Sequence, residues 1–224
     1  MKFLRLSALL LVLIVTACAE RAVEESVVVQ QPEVTRIEEK TVTYSSEVAA
    51  LRNKGLAQAK YSYSFHSLVR DEFGNLQATA DFDVVVFQDK VKKSYQSPQK
   101  RGSAYYTDFY IDNAARTAAA VCVQGGVLCQ ENFNNVKPMD YNSQKLEVTL
   151  KDVLDDIPPE AKVAESALVD NRKATVVQYG NVKVYLDNYF GVPLKKQVSD
   201  SEGMTEEYTF SRFDIGVKEE DVEQ

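Results

Sequence analysis

From residue 61 onward, apolar and polar residues alternate with a period of two, the signature of strands with one buried face. Tyr61, Tyr63 and Phe65 alternate with Ser62, Ser64 and His66. After a turn at Glu72-Phe73-Gly74-Asn75, Ala78, Ala80, Phe82, Val84 and Val86 alternate with Gln77, Thr79, Asp81 and Asp83. Val91, Lys93 and Tyr95 continue the pattern less cleanly, and Gln99-Lys100-Arg101-Gly102 turns the chain again. Tyr105, Thr107, Phe109 and Ile111 then alternate with Tyr106, Asp108, Tyr110 and Asp112, and a further strand is expected over 117–123. Toward the end, strands are predicted over 163–169, 174–179 and 182–186, separated by the hairpin-like turns Asp170-Asn171 and Gly180-Asn181. Leu194, Lys196 and Val198 follow a turn at Tyr189-Phe190-Gly191, and Met204, Tyr208 and Phe210 close the series.

Two segments have helical spacing instead. Ser45-Ser46 can cap a helix over 46–59, with Glu47 in its first turn and Val48, Leu51, Leu56 and Ala59 on one face, although Gly55 weakens it. Thr149, with Asp152 three residues on, can cap a short helix that buries Leu150, Val153 and Leu154 and stops at Pro158-Pro159. The expected domain is therefore mainly β, with about ten short antiparallel strands and two or three short helices. No segment shows the strand-then-helix alternation of a parallel sheet. A single curved sheet of this size needs something laid in its concave face, and the two amphipathic helices are available.

Cys122 and Cys129 flank Val-Gln-Gly125-Gly126-Val-Leu. A two-residue Gly-Gly loop would pair 122 with 129, on one face of adjacent strands, with Cα atoms about 5.5 Å apart, which a disulfide spans. A bridge over so short a loop contributes about 2–3 kcal/mol. The rival roles are weaker. A redox pair usually has the Cys-x-x-Cys spacing, and a metal site would lack ligands because His66 is the single histidine.

The first residues change the compartment. Lys2 and Arg5 precede the uninterrupted apolar run 8–15, which is too short for a spanning helix of about 20 residues. Small residues follow, so residues 1–17 read as a secretory signal peptide. Val15-Thr16-Ala17-Cys18 resembles the bacterial lipobox. That resemblance implies cleavage before Cys18 and diacylglyceryl transfer to its thiol, a lasting membrane anchor. The domain is then expected on the extracytoplasmic side of the cell membrane or outer membrane; Ala19, rather than Asp, resembles lipoproteins sent to the outer membrane. Residues 18–44 hold no glycine and many charges, and read as a flexible tether. In a second reading Thr41–Tyr44 add a strand to the sheet. The β-domain spans 45–216, and 217–224 form an acidic tail.

Losing residues 1–17 removes Lys2 and Arg5, so the formal charge of −7 becomes −9. Such an acidic surface disfavours nucleic acid and anionic lipid headgroups as electrostatic partners. Chemistry is sparse: His66 lies on a polar strand face, Asp81 and Asp83 fit a wet sheet face, and no phosphate-cradling glycine loop is present. No enzyme activity, metal or cofactor is expected.

The stretch Val184-Tyr185-Leu186-Asp187-Asn188-Tyr189-Phe190-Gly191-Val192-Pro193-Leu194-Lys195-Lys196 resembles the LolA-like superfamily, as do Asp108–Asn113 and the helix leading into Tyr61–Phe65. That group includes outer-membrane lipoprotein carriers and receptors, RseB-like sensors and lipid-binding envelope lipoproteins. Cys18 departs from the soluble carriers and points to an anchored member. The resemblance implies an unclosed, curved antiparallel β-barrel with helices over a concave face that holds acyl chains. The partners implied are a lipid or lipoprotein ligand and, through Cys18, the membrane. The residues expected to face that cavity are Tyr63, Phe65, Phe82, Val84, Val86, Phe109, Val184, Leu186, Leu194, Val198, Tyr208 and Phe210. In the alternative, they form a filled core in a structural or protein-interaction lipoprotein.

Overall fold

The structure is a computed structural model that describes residues 44–71, 73–124, 136–199 and 205–223. Helix α1 (Ser46–Leu56) starts where Ser45 accepts a hydrogen bond from the Val48 N–H, and it buries Val48, Leu51 and Gly55. Five long or medium strands follow: β1 (Lys60–Arg70), β2 (Leu76–Phe87), β3 (Lys90–Arg101), β4 (Ala104–Asp112) and β5 (Thr117–Gln124). After β6 (Val136–Met139) come two short helices, α2 (Tyr141–Gln144) and α3 (Leu150–Asp155). The second half adds β7 (Lys162–Val169), β8 (Arg172–Tyr179), β9 (Val182–Asp187), β10 (Pro193–Ser199) and β11 (Thr205–Asp214).

Among the described residues these make one antiparallel sheet of 11 strands, in the order β6-β5-β4-β3-β2-β1-β11-β10-β9-β8-β7. The two ends, β6 and β7, do not pair, so the barrel stays open. Laid flat at about 4.8 Å per strand, such a sheet would be about 50 Å wide. One buried cluster nevertheless takes Val91 of β3, Ile111 of β4, Ala118 of β5, Val184 of β9 and Ala174 of β8, together with Val48 and Leu51 of α1. A helix of 11 residues is only about 16 Å long. The sheet must therefore curl around the helices, which sit on its concave face. This is the mainly β, unclosed antiparallel barrel that the sequence implies.

Two elements escaped the sequence pattern. Strand β6 is four residues long and contains Pro138, so no alternation marks it. Proline is tolerated there because β6 is an edge, where a missing N–H breaks no ladder bond. Helix α2 is one turn, announced only by Asp140, whose carboxylate accepts from the Ser143 N–H. The face assignment in β4 also needs correction. Ala104 and Tyr106 are buried with Phe109 and Ile111, because the register shifts between Tyr106 and Phe109. A bulge turns the first half of the strand over.

Gly55, which weakens the helical pattern on paper, is where α1 meets the β9–β10 turn. A Cβ on Gly55 would lie 2.5 Å from the Gly191 carbonyl oxygen and 2.6 Å from Leu154 Cδ1. Helix α3 starts with a complete capping box between Thr149 and Asp152. It is tied to α1 by Arg52, which donates to the Leu154 carbonyl (2.8 Å) and to Asp155 (2.7 Å). Tyr44, at the end of the expected tether, donates its hydroxyl to the Ile157 carbonyl (3.2 Å). In the acidic tail, Glu219–Val222 form a 3-10 turn with Val217 and Val222 buried, and Lys90 pairs with Glu219 (2.8 Å) and Glu223 (3.2 Å).

Candidate ligand-binding face

Strand register puts Tyr61, Tyr63 and Phe65 of β1 opposite Val86, Val84 and Phe82 of β2, all on the concave face. From there an aromatic row crosses five strands. Tyr208 stacks on Phe65 (6.2 Å between centroids), Phe65 on Phe82 (4.9 Å), and Phe82 meets Tyr95 (5.4 Å). Tyr95 meets Phe109 (5.7 Å), and Phe109 meets Tyr106 (6.2 Å). Phe82, Tyr95 and Tyr208 are half-buried.

At the other end of the same strands a cleft of about 730 Å³ opens beneath the helices. Its apolar lining includes Leu56, Tyr61, Val86, Val91, Ile111 and Leu150, with Leu146 of the α2–α3 connection. Asp89, Lys145, Glu147, Lys151 and Asp152 stand on its rim side. Val86, Val91 and Ile111 make its sheet wall apolar, while Gln58, Gln88, Asp89 and Asn113 at the strand ends, with the charged α2–α3 connection, make the rest of its lining polar.

Within the aromatic row, two residues along β3 from the cleft residue Val91, stands Lys93, on the concave face and 6% exposed. Its Nζ lies 5.5 Å from the Phe82 ring centroid and 5.6 Å from those of Tyr95 and Phe109. It donates one hydrogen bond, to the Gln144 carbonyl at the end of α2 (3.0 Å). Burial first, and repulsion from Arg101 second, push this ammonium down to about 8, against a weaker opposing pull from Glu147. Burial likewise pushes the Tyr61, Tyr179 and Tyr208 hydroxyls up to about 12.

The two shifts act on stability in opposite directions. Below pH about 8, Lys93 is charged in both the folded and unfolded states, and the fold bears the full cost of burying it. Between about 8 and its unfolded value of 10.5 the folded state binds fewer protons, so stability rises with pH. From 10.0 upward the unfolded tyrosines ionise first, and stability falls as pH approaches about 12. Urea denaturation across this range is expected to show maximal stability near pH 10 on the alkaline side. Lys93→Met removes the rise and leaves the fall.

The twelve residues expected to line a cavity divide by depth. Val84, Phe109, Val184, Leu186, Leu194 and Phe210 are fully buried under this chain's own side chains. Tyr63, Phe65 and Val86 are nearly so, and Phe82, Val198 and Tyr208 are half-buried. Val198 pairs with Val182 and Glu206 near the end of β10. Of the twelve, Val86 lines the cleft. Val91 and Ile111 carried the right parity for it in sequence and Leu56 the right helix face, whereas Leu146 is placed by tertiary packing alone.

Cys122 is buried on β5 in a small cluster with Phe109, Tyr106, Ala104 and Ala120. Cys129, the Gly125-Gly126 loop and Cys18 lie outside the described residues. His66 is exposed, and Asp83 accepts a hydrogen bond from Ser64. Among the described residues no cluster of His, Cys, Asp and Glu could hold a metal ion, and no helix is long and apolar enough to cross a membrane.

The motif over 184–196 is a structural joint. Asp187 is 2% exposed. Its carboxylate accepts from Arg172 Nε (2.7 Å) and from the Tyr189 and Phe190 N–H groups (2.9 and 2.6 Å). Arg172 donates in addition to the Phe213 carbonyl (3.1 Å) and lies over the Phe190 and Phe213 rings.

No family model and no curated protein matches the chain. Solved structures do. The chain is similar to MucB of Pseudomonas aeruginosa in its complex with MucA, at 10% identity and a TM-score of 0.43, over 80% of this chain and 61% of that one. It is similar to LprF from Mycobacterium bovis, at 10% identity and a TM-score of 0.46, over 79% of this chain and 97% of that one. It is also similar to the lipoprotein LppX of Mycobacterium tuberculosis, at 9% identity and a TM-score of 0.37, over 76% and 97%. The chain spans about three fifths of the MucB chain it overlaps.

Proposed function

We propose that this chain is a lipid-anchored binding protein of a cell envelope, which takes the hydrocarbon chain of a lipid or an acylated polypeptide into the cleft beneath its helices. The observation that carries this reading is the cleft itself: about 730 Å³, with a wall of Leu56, Tyr61, Val86, Val91, Ile111 and Leu150. That volume lies within the range of small-molecule sites, about 300–1,000 Å³. Each methylene removed from water there contributes about 0.8 kcal/mol. The signal segment and lipobox support an extracytoplasmic domain tethered through Cys18, and the oxidising setting favours a Cys122–Cys129 disulfide. The protein acts by binding and needs no catalytic group.

A second reading, a scaffold lipoprotein with a filled core, is favoured by one observation. Half of the residues expected to line the cavity are sealed by the chain's own side chains. The two readings separate by uptake of ligand. The Cys18→Ser protein carries no acyl group of its own. In native mass spectrometry it is expected to hold a hydrophobic adduct, removable by solvent extraction and restored by palmitate. A protein that stays at its bare mass and gives no enhancement of a hydrophobic probe's fluorescence is a scaffold.

A further inference from the structure

A second polar group shares the burial of Lys93. Gln144, on α2, is 4% exposed, and its side-chain Oε1 has no hydrogen-bond partner. Its Nε2 contacts the Ser143 hydroxyl (3.0 Å). A hydroxyl both donates and accepts, so whichever way the carboxamide is turned, one of its ends stays without a partner. An ammonium has three donors, and Lys93 uses one, on the Gln144 carbonyl. The rest of its surroundings are aromatic ring faces. No described carboxylate forms an ion pair with it. Leaving a cation buried without a counter-charge is costly, and such groups are normally paired.

The position of this polar seam is informative. Lys93 is two residues beyond Val91 on one strand face, about 7 Å further along, and Val91 lines the cleft. Gln144 sits between Tyr141 and Lys145, which also line it. Glu147, on the cleft's covering connection, acts electrostatically on Lys93, Tyr95 and Tyr208. Neither Lys93 nor Gln144 lines the cleft itself; the pair lies beside it, next along the strand and the chain from residues that do, and Lys93 reaches into the aromatic row.

We propose that Lys93 and Gln144 form a headgroup site, and that the protein selects acyl chains carrying an anionic oxygen head, a carboxylate or a phosphate. The chain lies along Val91, Ile111 and Leu146, and the head takes the two free donors of Lys93, with the Gln144 carboxamide beside it. This rests on the cleft being the binding site and adds a specificity to it. The charged groups facing Lys93 are Arg101, on its own strand, and Glu147, on the connection after α2. Neighbouring β2, β4 and α2 present Phe82, Phe109 and Gln144, none of them charged.

The test compares palmitate, hexadecyl phosphate and hexadecanol on the Cys18→Ser protein by calorimetry or probe displacement. The two anions are expected to bind more tightly than the alcohol. Lys93→Met should weaken the anions about 10- to 100-fold, the loss of a charge-assisted hydrogen bond, and leave the alcohol unchanged. Lys93→Arg should restore part of the difference. In the unaltered protein, affinity for the anions should fall once pH passes about 8, while that for the alcohol stays flat. Whichever anion binds more tightly identifies the head. Equal binding of acid and alcohol, insensitive to Lys93→Met, overturns the headgroup site and leaves the cleft reading standing. If none of the three binds, the cleft reading falls and takes the headgroup site with it.

Discussion

Asp187→Ala is expected to destabilise the protein by about 3–5 kcal/mol, enough to unfold it near physiological temperature. The substitution leaves the Arg172 guanidinium without its carboxylate and strips the Tyr189 and Phe190 N–H groups of their acceptor. Those two N–H groups open the β9–β10 turn, and Arg172 holds the turn to Phe213 near the end of β11. Asp187→Asn keeps an oxygen for the turn and loses only the ion pair, so it should cost markedly less. Urea midpoints for the two variants separate the contributions. Equal costs would mean that the turn bonds contribute nothing.

Gly191→Val is the second large effect, expected at about 2–5 kcal/mol. Gly191 has φ +74°, which a β-branched residue adopts only under strain. A Cβ there would overlap the Leu51 carbonyl oxygen and crowd Gly55 N at 2.8 Å. Gly55→Ala makes the argument sharper. In an exposed helix, replacing glycine with alanine gains about 1 kcal/mol. Here the new methyl meets the Gly191 carbonyl and Leu154, so the sign reverses. A thermal shift upward for Gly55→Ala would show that α1 does not dock on the turn as described.

These two residues explain why the 184–196 motif is so legible. It is the joint where α1, the β9–β10 turn and the end of β11 are clamped, and such a joint restricts residue type at several consecutive positions. Period-two alternation revealed most strands, because one face of the sheet is packed and the other is wet. It failed where geometry broke the period. The bulge in β4 turned Tyr106 inward, and β6 is too short to show a period at all. Gly55 read as a weakness because the partner that requires it lies 136 residues away in sequence, at Gly191.

The site was less legible than the fold. Alternation marks a side chain as inward, but it does not tell packed interior from open cleft. That distinction depends on where α1, α2 and the α2–α3 connection lie. Lys93 was visible as an irregularity between Val91 and Tyr95. Its significance came only with the three rings around it and the α2 carbonyl above it.

A hydrocarbon chain is expected in the space between α1, α3 and the β2–β4 strand ends. A fatty acid bearing a terminal diazirine, irradiated on the Cys18→Ser protein and mapped by peptide mass spectrometry, reports the location directly. Labels are expected on Leu56, Tyr61, Val91, Ile111 or Leu146, which line the cleft. Labels confined to the convex face around Lys92, Tyr110 and Tyr185, or spread without preference, would contradict that placement.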